Sequence, residues 1–223
     1  MDFFAAAAAA TRGPIVELGC GSGRLLAAVA AQHPGRPLVG VDRDAVALGI
    51  AAGRLPTATL VVADLRTWHP PAPAGLVIVG GDLLPLLLEE QDLTALFATA
   101  ATSCAPDGAI ALDATRIDGA AFAEAVGDAD WSHDVSWHGV EGTLVRRESR
   151  LLADPARRPG VALLEVRHRI SGPGGAETIS RPPVAIRAWS LGALEAAVSG
   201  AGLSIAARGG ADRFRWLLRS ADA

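Results

Sequence analysis

A cluster of glycines between a short apolar segment and an alanine-rich segment constrains this chain more than any other feature. Residues 15–24 have the sequence IVELGCGSGR, and a helix is predicted from Arg24 to Gln32. A strand that ends in closely spaced glycines lets a ligand approach the backbone, and the free amides at the start of the next helix point at that ligand. The segment therefore predicts a strand, a ligand-binding loop and a helix.

Further strands and helices alternate along the first half of the chain. Strands are predicted at 37–41, 59–63, 75–79 and 109–114, with helices at 44–54 and 86–102. Alternation at this spacing is typical of right-handed βαβ units that build a parallel sheet. A helix at 191–200 and strands at 203–207 and 214–219 complete the pattern. The chain of 223 residues suits one domain with an elaboration.

The elaboration, which follows the fifth predicted strand, has the two-residue alternation of β-strands. Residues 143–152 and 161–170 alternate as strands of an antiparallel hairpin, and an extended piece at 184–188 is a candidate third strand. Arginines alternate with Glu148 and Glu165 on one face of this hairpin. Because charges of both signs are interleaved, cross-strand pairing on a solvated face is favoured over a site that attracts anionic substrates.

Acidic residues follow three successive predicted strands. Glu17 lies two residues before the first glycine, and Asp42 and Asp64 end the second and third strands. The carboxyl ends of parallel strands form the crevice in which open α/β sheets bind ligands. An acid at position 42 can accept from both hydroxyls of a ribose, and one at position 64 can accept from an adenine amino group while Leu65 packs on the ring.

A nicotinamide dinucleotide site is the competing interpretation of these residues. Its fingerprint is G-x-G-x-x-G, whereas this loop has glycines at 19, 21 and 23 and Arg24 where the third glycine would fall. A carboxylate at position 17 also suits a positively charged or zwitterionic ligand better than a pyrophosphate. The spacing therefore argues against the dinucleotide.

The ordered set of motifs resembles class I S-adenosylmethionine-dependent methyltransferases. Residues 17–23 (ELGCGSG) resemble the family's first motif, 39–42 (VGVD) the second and 61–65 (VVADL) the third. The resemblance covers about 14–115 and 189–220. It implies an α/β fold with a Rossmann-like, seven-stranded, mostly parallel sheet whose last strand is antiparallel, and an antiparallel β insertion at about 128–188 after the fifth strand, all within a single domain over 1–223.

The resemblance also implies a set of cofactor-binding residues. They are Glu17, Gly19, Gly21, Gly23, Asp42, Arg43, Asp64, Leu65 and Gly80. The glycines would cradle S-adenosylmethionine, whose product is S-adenosylhomocysteine, and Glu17 would reach its amino acid end. Gly80 would lie near the sulfonium methyl. Each position also has a structural interpretation, as a tight turn or a helix cap. Asp82 either lines the mouth of the site and contacts the substrate or caps the next helix.

Catalytic residues are expected in the insertion, where the family often builds its acceptor pocket. A base is needed only if the acceptor must lose a proton. We predict His133 or His138 as general base, and Trp131 or Trp137 as the aromatic contact of the acceptor. The alternative is that these are surface histidines and core tryptophans.

The predicted function is methyl transfer to a small molecule, in specialised metabolism. A net charge of −4 argues against a nucleic-acid partner, and so does Gly80-Gly81-Asp82-Leu83 in place of a base-methylation motif. No metal-ligand spacing is found. The apolar run from Leu76 to Leu88 is interrupted by Asp82 and Pro85, so we expect no membrane contact and a cytoplasmic location.

Two alternatives remain open at this point. The scaffold could bind S-adenosylmethionine without methylating, as in a cyclase-like enzyme, or it could be a degenerate regulatory module. Only a short segment precedes the first strand, which leaves the insertion or a second subunit in a homodimer to cover the acceptor.

Overall fold

The computed structural model describes residues 2–128, 130–139, 142–156 and 158–221. The strands are β1 (Ile15–Leu18), β2 (Leu38–Asp42), β3 (Thr59–Val62), β4 (Ala74–Val79), β5 (Cys104–Thr115), β6 (Ser132–His138), β7 (Leu144–Ala153), β8 (Val161–Gly172), β9 (Gly175–Arg187), β10 (Leu203–Gly209) and β11 (Arg213–Ser220). The helices are α1 (Asp2–Ala9), α2 (Arg24–Gln32), α3 (Ala45–Arg54), α4 (Glu90–Ser103), α5 (Gly119–Ala125) and α6 (Leu191–Gly200). No helix in these ranges is long and apolar enough to span a bilayer.

The chain divides into two compact units. The first comprises residues 1–84, 89–116 and 191–223, and the second comprises 85–88 and 117–190. The insertion predicted at 128–188 falls inside the second unit. That all of 1–223 forms a single domain stays a prediction.

The first unit contains a seven-stranded sheet in the order β10-β11-β5-β4-β1-β2-β3. The pairs among β1 to β5 are parallel, and β11 is antiparallel to both β5 and β10. The predicted mostly parallel, Rossmann-like sheet is therefore confirmed. Strand order reverses beside β1, because β2 and β3 lie on one side of it and β4 and β5 on the other. The glycine loop leaves β1 at this switch point, where open α/β sheets bind their ligands.

The centre of this sheet is the main core of the first unit. Every residue of β1 and β4 is buried, as expected for parallel strands covered on both faces. Leu26 and Val29 of α2 pack on one side, and Leu96 and Phe97 of α4 are fully buried. The site that follows β1 is thus carried by rigid, buried strands.

The segment before β1, which is short in the sequence, forms the helix α1. Phe4 and Ala8 are buried in the same cluster as Ile15, so the helix packs on the sheet core. Arg36 holds its end, since its guanidinium donates to the carbonyl oxygens of Ala8 at 2.6 Å and Gly13 at 2.7 Å. An alanine run has high helix propensity but little amphipathic pattern, which is why periodicity gave no prediction here.

The second unit contains an antiparallel sheet in the order β6-β7-β8-β9. Its charged face carries the cross-strand pairs expected from the sequence: Arg150 with Glu165 at 2.8 Å, and Arg167 with Glu148 at 2.6 Å. The opposite face packs near α5, where Phe122 lies in a small apolar cluster. The arginines of this hairpin are therefore largely engaged by neighbouring acids.

Two strands of this unit differ from the prediction. β6 runs through the segment that holds the predicted acceptor residues, where no strand was predicted, and β9 begins at Gly175 instead of near Val184. β9 contains Pro182 and Pro183, which lack the amide that a central strand requires. It tolerates them because it lies at the edge of the sheet.

Candidate functional site

The glycine loop after β1 has a backbone that requires glycine. Gly19, Gly21 and Gly23 have φ angles of 75°, 50° and 74°, in the left-handed region that side chains rarely adopt. A Cβ on Gly19 would lie 2.9 Å from Leu83 Cδ1. The amides of Gly19 and Cys20 both donate to the Val41 carbonyl, at 2.8 and 3.0 Å, so the loop is fastened to the end of β2.

Asp42 joins this loop to the second strand. Its Oδ2 accepts from the Gly21 amide at 2.7 Å, and its Oδ1 accepts from the Asp44 amide at 2.9 Å. Asp44 in turn caps α3 by accepting from the Val46 amide at 2.9 Å. The carboxylate is partly exposed and fixed at both oxygens. Each oxygen keeps acceptor capacity for a hydroxyl.

Glu17 is a buried carboxyl at the end of β1. Only 2% of the residue is exposed, and its Oε2 accepts from the Leu26 amide at 3.0 Å. This hydrogen bond satisfies one of the free amides in the first turn of α2. Burial raises the pKa of Glu17 to about 8, against the lowering effect of that hydrogen bond, and the charge of Asp42 raises it further. Its predicted role at the amino acid end of the cofactor stays a prediction.

Asp64 is held by an arginine that the sequence analysis did not include. Arg66 donates to Asp64 from Nη2 at 2.6 Å and from Nε at 2.9 Å, and its Nη1 donates to Asp92 of α4 at 2.5 Å. These hydrogen bonds hold the pKa of Asp64 at about 2, helped by the charge of Arg43. Arg43 is exposed, and Leu65 is half-buried. The sequence did contain a signal for this ion pair, because an arginine two residues after an acid can pair with it locally.

Gly80, just after β4, is a buried position without room for a side chain. A Cβ there would lie 2.6 Å from Leu25 Cδ2 and 3.0 Å from Phe4 Cζ. Close packing of α1 and α2 is therefore one reason for glycine at this position. This packing does not test the predicted place of Gly80 near the sulfonium methyl, which stays a prediction.

Asp82 ties the loop after β4 to the neighbouring strands. Its Oδ1 accepts from the amide and the hydroxyl of Thr115, both at 2.8 Å, and from Arg213 Nη2 at 3.0 Å. Burial raises the pKa of Asp82, but the hydrogen bonds from Thr115 and Arg213 outweigh burial and leave the pKa below its ordinary value. The next long helix, α4, begins only at Glu90. No sequence spacing pointed to Arg213 as a partner.

The four acceptor residues predicted in the insertion lie in the second unit, whereas Asp82 lies in the first. His133, Trp137 and His138 are exposed on β6, and His133 Nε2 is 2.8 Å from Ser136 Oγ. The guanidinium carbons of Arg150 and Arg167 lie 4.6 and 4.1 Å from the centre of the Trp131 ring. The Trp137 ring meets the His168 ring edge-on, with centroids 5.9 Å apart. The roles of the four predicted residues at an acceptor stay predictions.

The first unit thus brings the predicted cofactor residues to one edge of the sheet. Gly19, Gly21 and Gly23 follow β1, Asp42 and Arg43 follow β2, Asp64 and Leu65 follow β3, and Gly80 follows β4. Left-handed glycines, a fixed carboxylate and free helix amides suit a nucleoside with a charged tail. Within 2–128, 130–139, 142–156 and 158–221, no group of three metal-ligating side chains is found.

Comparison with known proteins agrees with this arrangement. Residues 15–108 match the family model described as a methyltransferase domain. Trans-aconitate 2-methyltransferase of Yersinia pseudotuberculosis is 35% identical over 98 residues, which are 44% of this chain and 36% of that protein. The enzyme of the same name from Rhizobium meliloti is 42% identical over 64 residues, 29% of this chain and 25% of that protein. The chain therefore matches only about a third or less of these relatives' length.

Solved structures share the fold over most of the chain. DesVI of Streptomyces venezuelae superposes with a TM-score of 0.76 at 23% identity, covering 93% of this chain and 84% of that one. CalS10 of Micromonospora echinaspora, an amino pentose methyltransferase solved with S-adenosylmethionine bound, also has a TM-score of 0.76 at 23% identity, covering 97% and 86%. The fold is that of a Rossmann-like domain. Within that domain, residues 15–108 are similar in sequence to a methyltransferase domain.

Proposed function

We propose that this protein transfers the methyl group of S-adenosylmethionine to a small-molecule acceptor. The observation that carries the proposal is the hydrogen bond from the Gly21 amide to Asp42 Oδ2, which joins the glycine loop to a ribose-binding acid at the switch point of the sheet. The residues fit the cofactor, because the left-handed glycines leave the loop backbone accessible and the fixed carboxylate has lone pairs to spare.

When bound, S-adenosylmethionine supplies an electrophilic methyl group: the acceptor's lone pair forms the new bond to carbon while the carbon–sulfur bond breaks and its electron pair stays on sulfur. The glycine loop would lie against the cofactor, and Asp42 would accept from the ribose hydroxyls. Asp64, oriented by Arg66, accepts from the adenine amine. Positioning of this kind can supply about 7–11 kcal/mol of the barrier.

The acceptor is proposed to be small and to be deprotonated, where needed, by His133 or His138. The relatives' names support the small size: one methylates trans-aconitate and another an amino pentose. The latter acts in calicheamicin biosynthesis, which supports a role in specialised metabolism. The cytoplasmic location and the homodimer expected from the sequence stay predictions.

The test is calorimetric titration of S-adenosylmethionine and S-adenosylhomocysteine into wild type and Asp42→Ala. Asp107→Ala, which changes an exposed acid near the start of β5, is the matched control. We expect wild type and Asp107→Ala to bind alike and Asp42→Ala to bind at least tenfold more weakly. No binding to wild type would sink the proposal.

A transfer assay with methyl-labelled S-adenosylmethionine then separates methylation from mere binding. The acceptor panel includes trans-aconitate and an amino sugar. Label in any acceptor, together with S-adenosylhomocysteine, establishes methyl transfer. Tight cofactor binding without transfer to any acceptor favours the cyclase-like or regulatory alternative.

A further inference from the structure

A cavity of about 240 Å³ lies beside the last two strands of the seven-stranded sheet, outside the residues proposed to bind the cofactor. Its main lining residues are Arg116, Leu191, Arg208, Arg213, Phe214 and Trp216. Three of these are arginines, and no acidic side chain of the described chain lines the cavity. All of them lie beyond residues 15–108, the range that matches the family model.

The turn between β10 and β11 forms one wall of this cavity. Gly210 has a φ of 84°, and a Cβ there would lie 2.4 Å from the Arg213 carbonyl oxygen, so the tight turn requires glycine. The Arg116 amide, one residue after β5, donates to the Asp212 carbonyl at 3.0 Å. This wall of the cavity is therefore held in position, because the hydrogen bond joins the turn to the end of β5.

Two of the three arginines are held in place by neighbours. Arg208 lies opposite Trp216 in the strand register, with its guanidinium 5.1 Å from the centre of the ring, and it donates to Glu195 at 2.6 Å. Arg213 is paired with Asp113 and Asp82. These acids compensate the charge of both guanidinium groups.

Arg116 differs from the other two. It is exposed, and its guanidinium has no hydrogen-bond or ion-pair partner in the part of the chain that the structure describes. Because acids compensate the charges of Arg208 and Arg213, the unpaired charge of Arg116 is the one that favours an anion from solution. The planar guanidinium fork matches the geometry of carboxylate and phosphate.

The cavity lies at the same sheet edge as the glycine loop. β5 ends there, and β11, being antiparallel to β5, begins there. Asp82, in the loop after β4, accepts from Arg213, so a wall of the cavity is tied to that loop. β11 lies two strands from β4, which separates the cavity from the end of β4 by about 10 Å.

We propose that this cavity, the Arg116 pocket, binds an oxyanion of the methyl acceptor, either a carboxylate or a phosphate. Arg116 and Arg208 donate to the anion, and Leu191, which is 40% exposed, packs on the carbon skeleton. Only the identity of the ligand as methyl acceptor rests on the proposed function. The acceptor would carry its anionic group about 10 Å from the atom that is methylated.

The test titrates citrate and inorganic phosphate into the protein, with and without saturating S-adenosylhomocysteine, by calorimetry. The variant is Arg116→Gln, which breaks none of the ion pairs described above. The control is Arg181→Gln, the same charge change at an exposed position of β9 in the second unit. We expect at least one anion to bind wild type and Arg181→Gln alike, and to bind Arg116→Gln at least fivefold more weakly.

The outcomes separate the two proposals. S-adenosylhomocysteine should bind Arg116→Gln as it binds wild type, because Arg116 is not among the proposed cofactor residues. If S-adenosylhomocysteine binds no variant, the proposed function fails while the anion titration still decides the pocket. If neither anion binds, or if Arg116→Gln binds them as wild type does, the pocket proposal is overturned. Tighter citrate than phosphate identifies a carboxylate, and the reverse identifies a phosphate.

Discussion

The backbone amide of Gly21 donates to Oδ2 of Asp42 over 2.7 Å, and this single hydrogen bond connects the ends of two neighbouring strands. Gly21 has a φ of 50° in the conformation that makes this hydrogen bond. Loop geometry and carboxylate orientation therefore depend on each other. A change at either residue is expected to affect the other.

Gly21→Ala tests two properties of the loop: its backbone strain and its proposed role in binding the cofactor. A Cβ at position 21 has space, with its nearest neighbour, Asp42 Oδ2, 3.9 Å away. The left-handed backbone should therefore cost about 1 kcal/mol of unfolding free energy. The added methyl group lies beside the atom proposed to bind ribose, so we also expect weaker S-adenosylhomocysteine binding. Urea unfolding and calorimetry measure the two effects.

Gly35→Ala is the matched control for Gly21. Gly35 has a φ of 85° and no atom within 4 Å of an added Cβ, so the backbone strain is similar. Its stability loss should resemble that of Gly21→Ala, while S-adenosylhomocysteine binding should be unchanged. Equal binding by both variants and wild type would argue against a ligand role for the loop.

The buried carboxyl of Glu17 should make stability depend on pH. Its folded pKa of about 8 exceeds the ordinary value of 4.5, so between these values the folded state holds a proton that the unfolded state has released. Stability should consequently be highest at or below about pH 4.5, as far as this group is concerned, and decrease as the pH rises toward 8. Urea midpoints between pH 5 and 8.5 measure this slope.

Glu17→Gln should flatten that slope, because the amide oxygen can still accept from the Leu26 amide but does not titrate. Glu124→Gln, which changes an exposed carboxyl on α5, should leave the slope as in wild type. A wild-type slope in Glu17→Gln would show that Glu17 ionises in the folded protein as it does in the unfolded chain.

The pair of Arg66 and Asp64 can be tested by carbon-detected NMR titration. The side-chain hydrogen bonds of Arg66 are the main reason that the pKa of Asp64 is about 2, and the charge of Arg43 contributes less. In Arg66→Met the pKa of Asp64 should rise toward its ordinary value of 3.8. In Arg43→Met, which removes a charge but no hydrogen bond to Asp64, it should rise less. An equal rise in the two variants would contradict the pairing.

The sequence predicted the parts of the fold that depend on burial and glycine. β1, the glycine loop and α2 follow from an apolar run, three left-handed glycines and an alanine-rich segment. The parallel strands β1 and β4 were predictable because strands buried on both faces are continuously apolar. The acids Asp42 and Asp64 followed from their places at strand ends.

The parts that the sequence did not predict depend on long-range packing. α1 is held by Arg36, 28 residues after Ala8, and β9 tolerates its prolines only because it is an edge strand. Asp82 pairs with Arg213, 131 residues away. No local pattern contains these relationships, because each arises only when distant strands become neighbours in a sheet.

Gly75, at the start of β4, is a position without room for a side chain. A Cβ on Gly75 would lie 1.5 Å from the Arg12 carbonyl oxygen, so any side chain would overlap the backbone that leads into β1. Because backbone cannot move aside as a flexible side chain can, Gly75→Ala should cost about 3 kcal/mol of unfolding free energy, the upper end of the usual range for overpacking.

Gly49→Ala is also a glycine-to-alanine substitution, but it should stabilise the protein. Gly49 lies inside α3, and an added Cβ there meets no atom within 4 Å. Alanine in a helix interior stabilises by about 0.5–1 kcal/mol relative to glycine, so this variant should unfold at higher urea concentration than wild type.

A Gly75→Ala protein as stable as wild type would mean that the segment at Arg12 does not pack against β4. Since that segment also connects α1 to β1, the position of α1 over Gly80 depends on the same packing.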